Sequence, residues 1–323
     1  MTYNGSVAEL VKVRIPKQYR CAVALTYDTD MANGYSPLDN PGCHGRTAPF
    51  VADYMRQMMD HAERFDTRLH FFKIVNGLEK GCDYSVYQEA LARGHDVDCH
   101  TYDHLNLAYT NPEKLDVDLK RANLLMQEKL KVEPFVLRGP GGYPPGALGP
   151  DSRSVILKNG FRYVSGQGTG GMEYKNNPGD SARDSGAHPP FRFLDGLIEI
   201  PFHGLTDRAF LDNIVADDDA LTEFRKLYAH KSVPADWKCS WTVPNALDHL
   251  IEIQKNSVDY AHKHRLLLNL VQHPYSHYLH DPDHRHLCEL LDHIQSKEDP
   301  IWVGTLRGVI REMIEPYNGH RSQ

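Results

Sequence analysis

The chain has 323 residues, 41% of them hydrophobic and 24% charged, and its 43 acidic side chains outnumber 36 basic ones to leave a formal net charge of −7. A chain of this size buries about three quarters of its unfolded surface, so it needs neither disulfides nor a structural metal to fold. The acidic balance, without a block of Lys or Arg, argues against nucleic acid as a partner, and no apolar run reaches the ~18 residues of a spanning helix, so no membrane is expected.

The first 20 residues lack the apolar stretch and small-residue cleavage site of a secretory signal; they read as an N-terminal extension, and the cytoplasm is the expected location. The six cysteines (21, 43, 82, 99, 239 and 288) are scattered without a C-x-x-C pair, the pattern of reduced core thiols. Seven short apolar or β-branched runs then read as strands: Ala22 to Thr26, Leu69 to Val75, His95 to Cys99, Pro134 to Leu137, Phe161 to Val164, Leu197 to Pro201 and Leu266 to Val271. Between and after them lie segments with helical spacing, at 47–64, 84–93, 112–131, 151–159, 245–264 and 305–314. Thr110, Asn111 and Pro112 form a capped start for the third.

Strands alternating with helices imply an α/β fold with a mostly parallel sheet and outer helices, and seven units suit a closed or nearly closed barrel. The chain reads as one domain over 1–323. The segment 165–195, rich in Gly, Asn, Pro and Ser, is expected to be a long loop over the mouth of the barrel. The stretch 203–244 has no assignment.

In parallel α/β architectures the working groups gather at the C-terminal ends of strands. The first run ends Thr26-Tyr27-Asp28-Thr29-Asp30, which puts Asp28 and Asp30 on one face. Two carboxylates that close need a cation or proton between them, although a structural turn is the commoner reason for such a pair. The third run leads into His100 and His104, imidazoles whose spacing of four can converge on one metal. The same spacing recurs at 273/277 and 280/284, so what singles out the first pair is its place on the rim beside Asp28 and Asp30. One carboxylate with two imidazoles would leave a coordination position for water, the arrangement of a catalytic site.

After the fourth run, Arg138-Gly139-Pro140-Gly141-Gly142-Tyr143 offers an Arg that can fork onto a carboxylate and glycines that let backbone N–H groups approach a ligand; a Gly/Pro turn with a surface Arg is the alternative. The seventh run delivers His273, able to protonate a leaving group or, as a lone His more often does, to serve structure. The stretch HPYSHYLHDPDHRH from 273 to 286 is expected to be a polar loop of solvated histidines, with an accessory metal or subunit-contact loop as the alternative. Tyr143, Trp237 and Trp241 are candidates to face a sugar ring, against the commoner role of core anchor.

In content and order, from Val23 to Ile314, these motifs resemble the polysaccharide deacetylase family, the family 4 carbohydrate esterases, which also includes hydrolases of cyclic amides related to bacterial allantoinases. Thr26 to Asp30 is similar to the family's first motif, His100 to His104 to its H-[ST]-x-x-H, Arg138 to Gly142 to R-x-P-x-G, and Leu270 to His273 to the closing motif. The resemblance implies a distorted (β/α)7 barrel in which Asp30, His100 and His104 hold a divalent metal, Zn2+ or else Co2+, Ni2+ or Mn2+. It implies Asp28 as base, Arg138 as its orienting partner, His273 as general acid, and a backbone N–H of the Gly141-Gly142-Tyr143 turn in an oxyanion site; Asp207 is a weak candidate to partner His273. Thr29 separates aspartates that are usually adjacent, a spacing similar to a subgroup with intracellular peptidoglycan-deacetylase-like proteins and imide hydrolases. The expected activity is metal-dependent amide hydrolysis. N-deacetylation of an N-acetylated sugar, oligosaccharide or polysaccharide comes first, with a cyclic amide, imide or other small amide as the alternative. The sequence leaves assembly into a homo-oligomer open.

Overall fold

The run CAVALTYD forms strand β2 (Cys21–Asp28), buried along its whole length. Its alternation sends Cys21, Val23, Leu25 and Tyr27 to a core shared with outer helices, and Ala22 and Ala24 to a second core on the opposite face. The computed structural model describes residues 7–29, 45–144, 146–168, 189–203, 207, 211 and 243–314. Asp30, Trp237, Trp241 and residues 169–188 of the expected long loop lie outside them.

Among the described residues ten strands make one sheet: β1 (Val7–Leu10), β2, β3 (His70–Lys73), β4 (Asp96–Cys99), β5 (Val136–Tyr143), β6 (Tyr163–Gln167), β7 (Phe191–Phe193), β8 (Ile198–Glu199), β9 (Leu267–Gln272) and β10 (Ile301–Gly304). The spatial order is β1-β7-β8-β6-β5-β4-β3-β2-β10, with β9 also on β2. The seven expected strands correspond to β2, β3, β4, β5, β6, β8 and β9, all joined in parallel. The sheet is nevertheless mixed, because β7 pairs antiparallel with both β8 and β1. The N-terminal extension is thus partly a strand, and residues 163–167 and 191–193 at the ends of the expected long loop are strands too.

The barrel is distorted at β2. Strand β9 pairs with Ala22 to Tyr27 along one edge, while β10 takes Cys21 to Ala24 and β3 takes Thr26 to Asp28. Between β8 and β9 side chains, with one backbone bond from the His203 N–H to the Asn269 carbonyl at 2.8 Å, close what a ladder would. Asn269 donates from its backbone N–H to His203 Nδ1 at 2.7 Å and from its amide to the Pro201 carbonyl at 3.2 Å. The result is a half-barrel surrounded by helices.

The helices are α1 (Pro49–Arg64), α2 (Ser85–Ala92), α3 (Pro112–Leu125), α4 (Pro150–Lys158), α5 (Val243–His264), α6 (Pro274–His280), α7 (Arg285–Gln295) and α8 (Leu306–Met313). Helix α1 buries Val51, Tyr54, Met55, Met58, Met59 and Ala62, a stripe at spacings of three and four. Each large apolar side chain so buried contributes about 1.5–3 kcal/mol. Asn111 caps α3, its side chain accepting from the N–H groups of Glu113 and Lys114. Among the described residues no helix is long and apolar enough to cross a membrane. The expectation for 273–286 is overturned: the segment forms α6 and the start of α7, and His277, His284 and His286 are buried. Histidines read as polar, but here they pack as flat rings, His284 stacked on Tyr54 with centroids 4.0 Å apart and His277 against His286 at 4.7 Å.

Helix α8 plugs the inner face of the sheet, its Leu306, Val309, Ile310 and Met313 clustering with Ala22, Ala24, Val136 and Leu267. Alanines on β2 leave the room these side chains fill. Beside them Asp98, 1% exposed, pairs with His70 at 3.0 Å and accepts from two nitrogens of Arg307. Arg307→Met is expected to lower the unfolding free energy by about 3–5 kcal/mol, because Asp98 would stay buried without its cation. Adding Asp98→Leu should recover most of that loss in urea unfolding; a single-variant loss under about 1 kcal/mol, the range of exposed pairs, would contradict this account.

Candidate functional site

Parallel registry brings the candidate residues to one rim. Asp28 ends β2 opposite Phe72, His100 follows β4, whose Cys99 pairs with Leu137, and Arg138 comes one residue after Leu137. On the other edge Tyr27 pairs with Gln272, so Asp28 and His273 leave neighbouring strands at the same level.

Arg138 is fully buried and engages three groups. Its Nε lies 3.1 Å from Asp28 Oδ1, Nη1 donates to Ser165 Oγ at 2.9 Å, and Nη2 donates to Thr26 Oγ1 at 2.5 Å. The expected fork onto one carboxylate is therefore a single contact, the other nitrogens being taken by inward hydroxyls of β6 and β2. The guanidinium also sits 4.4 Å over the Phe72 ring. Burial pushes its pKa down and the charges of Asp28 and Glu199 push back, but an Arg keeps its proton throughout.

His100 Nδ1 is 3.1 Å from the Arg138 carbonyl, which can only accept, so this nitrogen carries the proton. In the neutral ring Nε2 then presents its lone pair 3.7 Å from Asp28 Oδ2. Two acceptors facing each other favour a cation nearby, and a backbone carbonyl on the far nitrogen is the usual support of a metal-binding imidazole. His104 packs edge-on to His100 with ring centroids 4.9 Å apart. The donor chemistry of the pair thus fits a divalent metal, while the third candidate ligand, Asp30, lies outside the described residues. Among the described residues no three His, Cys, Asp or Glu side chains group as a metal site.

The loop that carries these rings takes two left-handed conformations at residues other than glycine, Thr101 at φ 60° and His104 at φ 56°. Such positions cost about 1–3 kcal/mol each and persist only when their surroundings impose them. Asp118 on α3 does so by accepting the N–H groups of Tyr102 and Asp103 at 2.8 and 2.9 Å. Burial pushes its carboxyl up to about 6 against the effect of those two bonds.

Gly139 to Gly142 form a bulge on β5, four residues set against Gly166 between the pairs Arg138–Ser165 and Tyr143–Gln167. Gly141 and Gly142 have φ of 67° and 63°, which glycine adopts without strain. Asn106, just past His104, donates from its amide to the carbonyls of Pro140 and Gly142, both at 2.9 Å. The Tyr143 ring is buried, and its hydroxyl donates to Glu199 Oε2 at 2.7 Å. It therefore anchors the core instead of facing a sugar ring; only its backbone belongs to the turn.

On the opposite side His273 is gripped by Asp207, whose Oδ2 accepts the His273 backbone N–H at 2.6 Å and whose Oδ1 lies 2.7 Å from Nδ1. The weakest of the sequence candidates is thus in direct contact with the expected acid. No role for Thr26, Ser165, Asn106, Asp118 or Glu199 follows from the motifs. Inward parity on β2 pointed to Thr26; for the others no local signal existed.

Residues 18–164 match the family model described as polysaccharide deacetylase. Over 90 residues the chain is 31% identical to the peptidoglycan-N-acetylglucosamine deacetylase of Bacillus cereus, an alignment spanning 28% of this chain and 41% of that relative's length. Among solved structures, a Mycobacterium smegmatis protein described as a polysaccharide deacetylase superposes with a TM-score of 0.62 and 18% identity, covering 98% of this chain and 99% of the other. An allantoinase superposes with a TM-score of 0.55 and 15% identity over 92% and 91% of the two chains. At these identities the structural likeness is one of fold.

Glu199, fully buried, also accepts the N–H groups of Gly166 and Gln167, both at 2.9 Å; burial outweighs these bonds and pushes its carboxyl up to about 7 from an ordinary 4.5. The folded chain therefore binds this proton more tightly than the unfolded one, and the resulting stability, present below pH 4.5, is lost as pH rises through about 7. Thermal melts of Glu199→Gln should lack that part of the fall. A pH dependence identical to that of the unsubstituted protein would refute the assignment.

Proposed function

We propose that the chain, whose residues 18–164 match the polysaccharide deacetylase family model, is a hydrolytic enzyme cleaving the amide of an N-acetylated sugar, oligosaccharide or polysaccharide with a metal-activated water. The observation that carries the proposal is Asp28, held 3.1 Å from a buried Arg138 and 3.7 Å from His100, with His273, paired to Asp207, just past the end of the adjacent strand β9. The Bacillus cereus relative, a deacetylase of N-acetylglucosamine in peptidoglycan by name, supports the acetyl group as target.

Asp30, His100 and His104 would hold the divalent metal, Zn2+ or one of its substitutes, whose charge when bound acidifies water and polarises the amide carbonyl. Asp28 takes the proton of the attacking water. Its pairing with Arg138 favours the carboxylate form, and the two hydrogen bonds of that guanidinium to Ser165 and Thr26 hold it against Asp28. His273 gives a proton to the departing nitrogen, without which an amine leaves poorly. Asp207, bonded to Nδ1, turns Nε2 toward the substrate. N–H groups of the Gly141–Tyr143 turn would receive the developing oxyanion, a contribution of about 10²–10³ in rate for one such donor.

A second reading, hydrolysis of a cyclic amide or imide, has its own support in the Asp28-Thr29-Asp30 spacing and in the fold shared with an allantoinase. Acetate release from N-acetylglucosamine oligomers, measured beside ring opening of a cyclic amide, separates the two. Chelation should abolish turnover and zinc restore it. Asp28→Asn should lower kcat by about 10²–10⁴ with little change in KM. Turnover that survives complete removal of metal would overturn the proposal; ring opening without acetate release would replace the first reading by the second.

A further inference from the structure

Behind His273 a chain of alternating charge continues into the protein. His277 stands one helical turn along α6 from His273 and faces the same carboxylate, its Nε2 3.2 Å from Asp207 Oδ2. Its other nitrogen, Nδ1, lies 3.9 Å from Asp281 Oδ2. Asp281 in turn accepts the N–H groups of Arg285 and His286 at 2.8 Å each, which ties it to the start of α7, where the helix dipole favours negative charge. All three side chains are nearly solvent-free.

A neutral imidazole has one N–H and one lone pair, so a ring with a carboxylate at each nitrogen would turn a lone pair on one of them. The imidazolium satisfies both. The other groups packed around His277 do not compete for this role. The His286 ring of α7 lies 4.7 Å away, and burial together with the charge of His277 pushes it down to about 3, so it is neutral. Its Nε2 is 2.9 Å from Gln254 of α5. Tyr27 of β2 and Tyr54 of α1 have hydroxyls pushed far up by burial and by the charges of Asp207 and Asp281, so both are neutral. His284 is pushed down to about 4, chiefly by burial, and the thiol of Cys288 is pushed up by burial. Lys255 of α5 adds only a distant positive charge, felt at His286. Burial disfavours a charged His277 as well, but the nearby carboxylates of Asp207 and Asp281 outweigh it and push the ring up to about 9. At Asp207 burial is likewise outweighed, by His273 and His277, and the carboxyl is held well below the usual range.

We propose that His277 is a positioning residue for the acid: a buried imidazolium, bracketed by Asp207 and Asp281, that keeps Asp207 a carboxylate locked onto both the backbone and the ring of His273. The inference rests on the reading of His273 as general acid. With His277 charged, the cluster of Asp207, Asp281 and His277 carries one negative charge, which a protonated His273 neutralises. Without it two negative charges would hold the His273 proton too firmly for easy donation.

The test uses the full-length, metal-loaded protein labelled with 15N at histidine. Two-bond 15N–1H spectra at pH 8 should show both ring nitrogens of His277 protonated, with Asp281→Asn moving its titration to lower pH while Asp207 and His273 stay in place. His277→Gln, which keeps a neutral donor toward Asp207, should lower kcat about 10- to 100-fold with KM within about twofold. It should also move the basic limb of kcat/KM to higher pH, because removing a neighbouring positive charge raises the acid's pKa. A neutral His277 at pH 7, or a His277→Gln enzyme with unchanged kcat and pH profile, would overturn the proposal. The spectra decide the charge even if His277→Gln does not fold. If the parent enzyme turns over no amide at all, the reading of His273 fails separately from the charge state of His277.

Discussion

A guanidinium buried inside a half-barrel can stay there only if every side of it is answered, and this requirement at Arg138 organises the rim. Its nitrogens reach Asp28, Ser165 and Thr26, while its own carbonyl faces His100. Through Thr26, whose hydroxyl donates to the Leu270 carbonyl, the network extends to β9, and through Ser165 it meets the amide of Asn269. One charge thus fixes the relative positions of β2, β4, β5, β6 and β9 at the level where chemistry would occur. Stability and preorganisation share a cause: a displaced partner would leave a charge buried and unpaired.

The inner face of the sheet changes character along the strands. Near the plug helix it is apolar, with Ala22, Ala24, Val136 and Leu267; two residues further along β2 it becomes Thr26 and then Asp28. Two residues after Leu267, the inner face of β9 holds Asn269. Hydrophobic burial supplies the bulk of the free energy at one end, leaving the other free to hold polar groups that must be satisfied individually. Backbone tension accompanies them: the left-handed residues Thr101 and His104 are held by Asp118, and the bulge at Gly139–Gly142 by Asn106.

The two sides of the rim are built differently. Asp28, His100 and Arg138 depend on strand registry, so contacts far apart in sequence determine them. His273 begins a short helix, and its neighbours His277 and Asp281 follow at intervals of four residues. Only Asp207 comes from elsewhere, and it joins the two histidines to a single carboxylate.

The seven parallel strands, their helices and the rim that bears Asp28, His100, Arg138 and His273 were legible from local patterns, because periods of two and of three to four report directly which faces are buried. The Asn111 cap and the glycine turn were legible for the same local reason. The antiparallel β7 and β1 were not, since strands of three and four residues at an edge carry too little pattern. The buried histidines in α6 and α7 read as solvated, because a polar ring is buried only where partners answer its nitrogens, and Asp207, Gln57 and Gln254, which meet His277, His284 and His286, are far away in the chain. The contacts of Thr26, Ser165 and Glu199, and that of Asp207 with His277, likewise came into view only in three dimensions. A side chain's type and spacing announce what it can do; whether its charge or proton is answered depends on groups that folding alone brings within hydrogen-bonding distance.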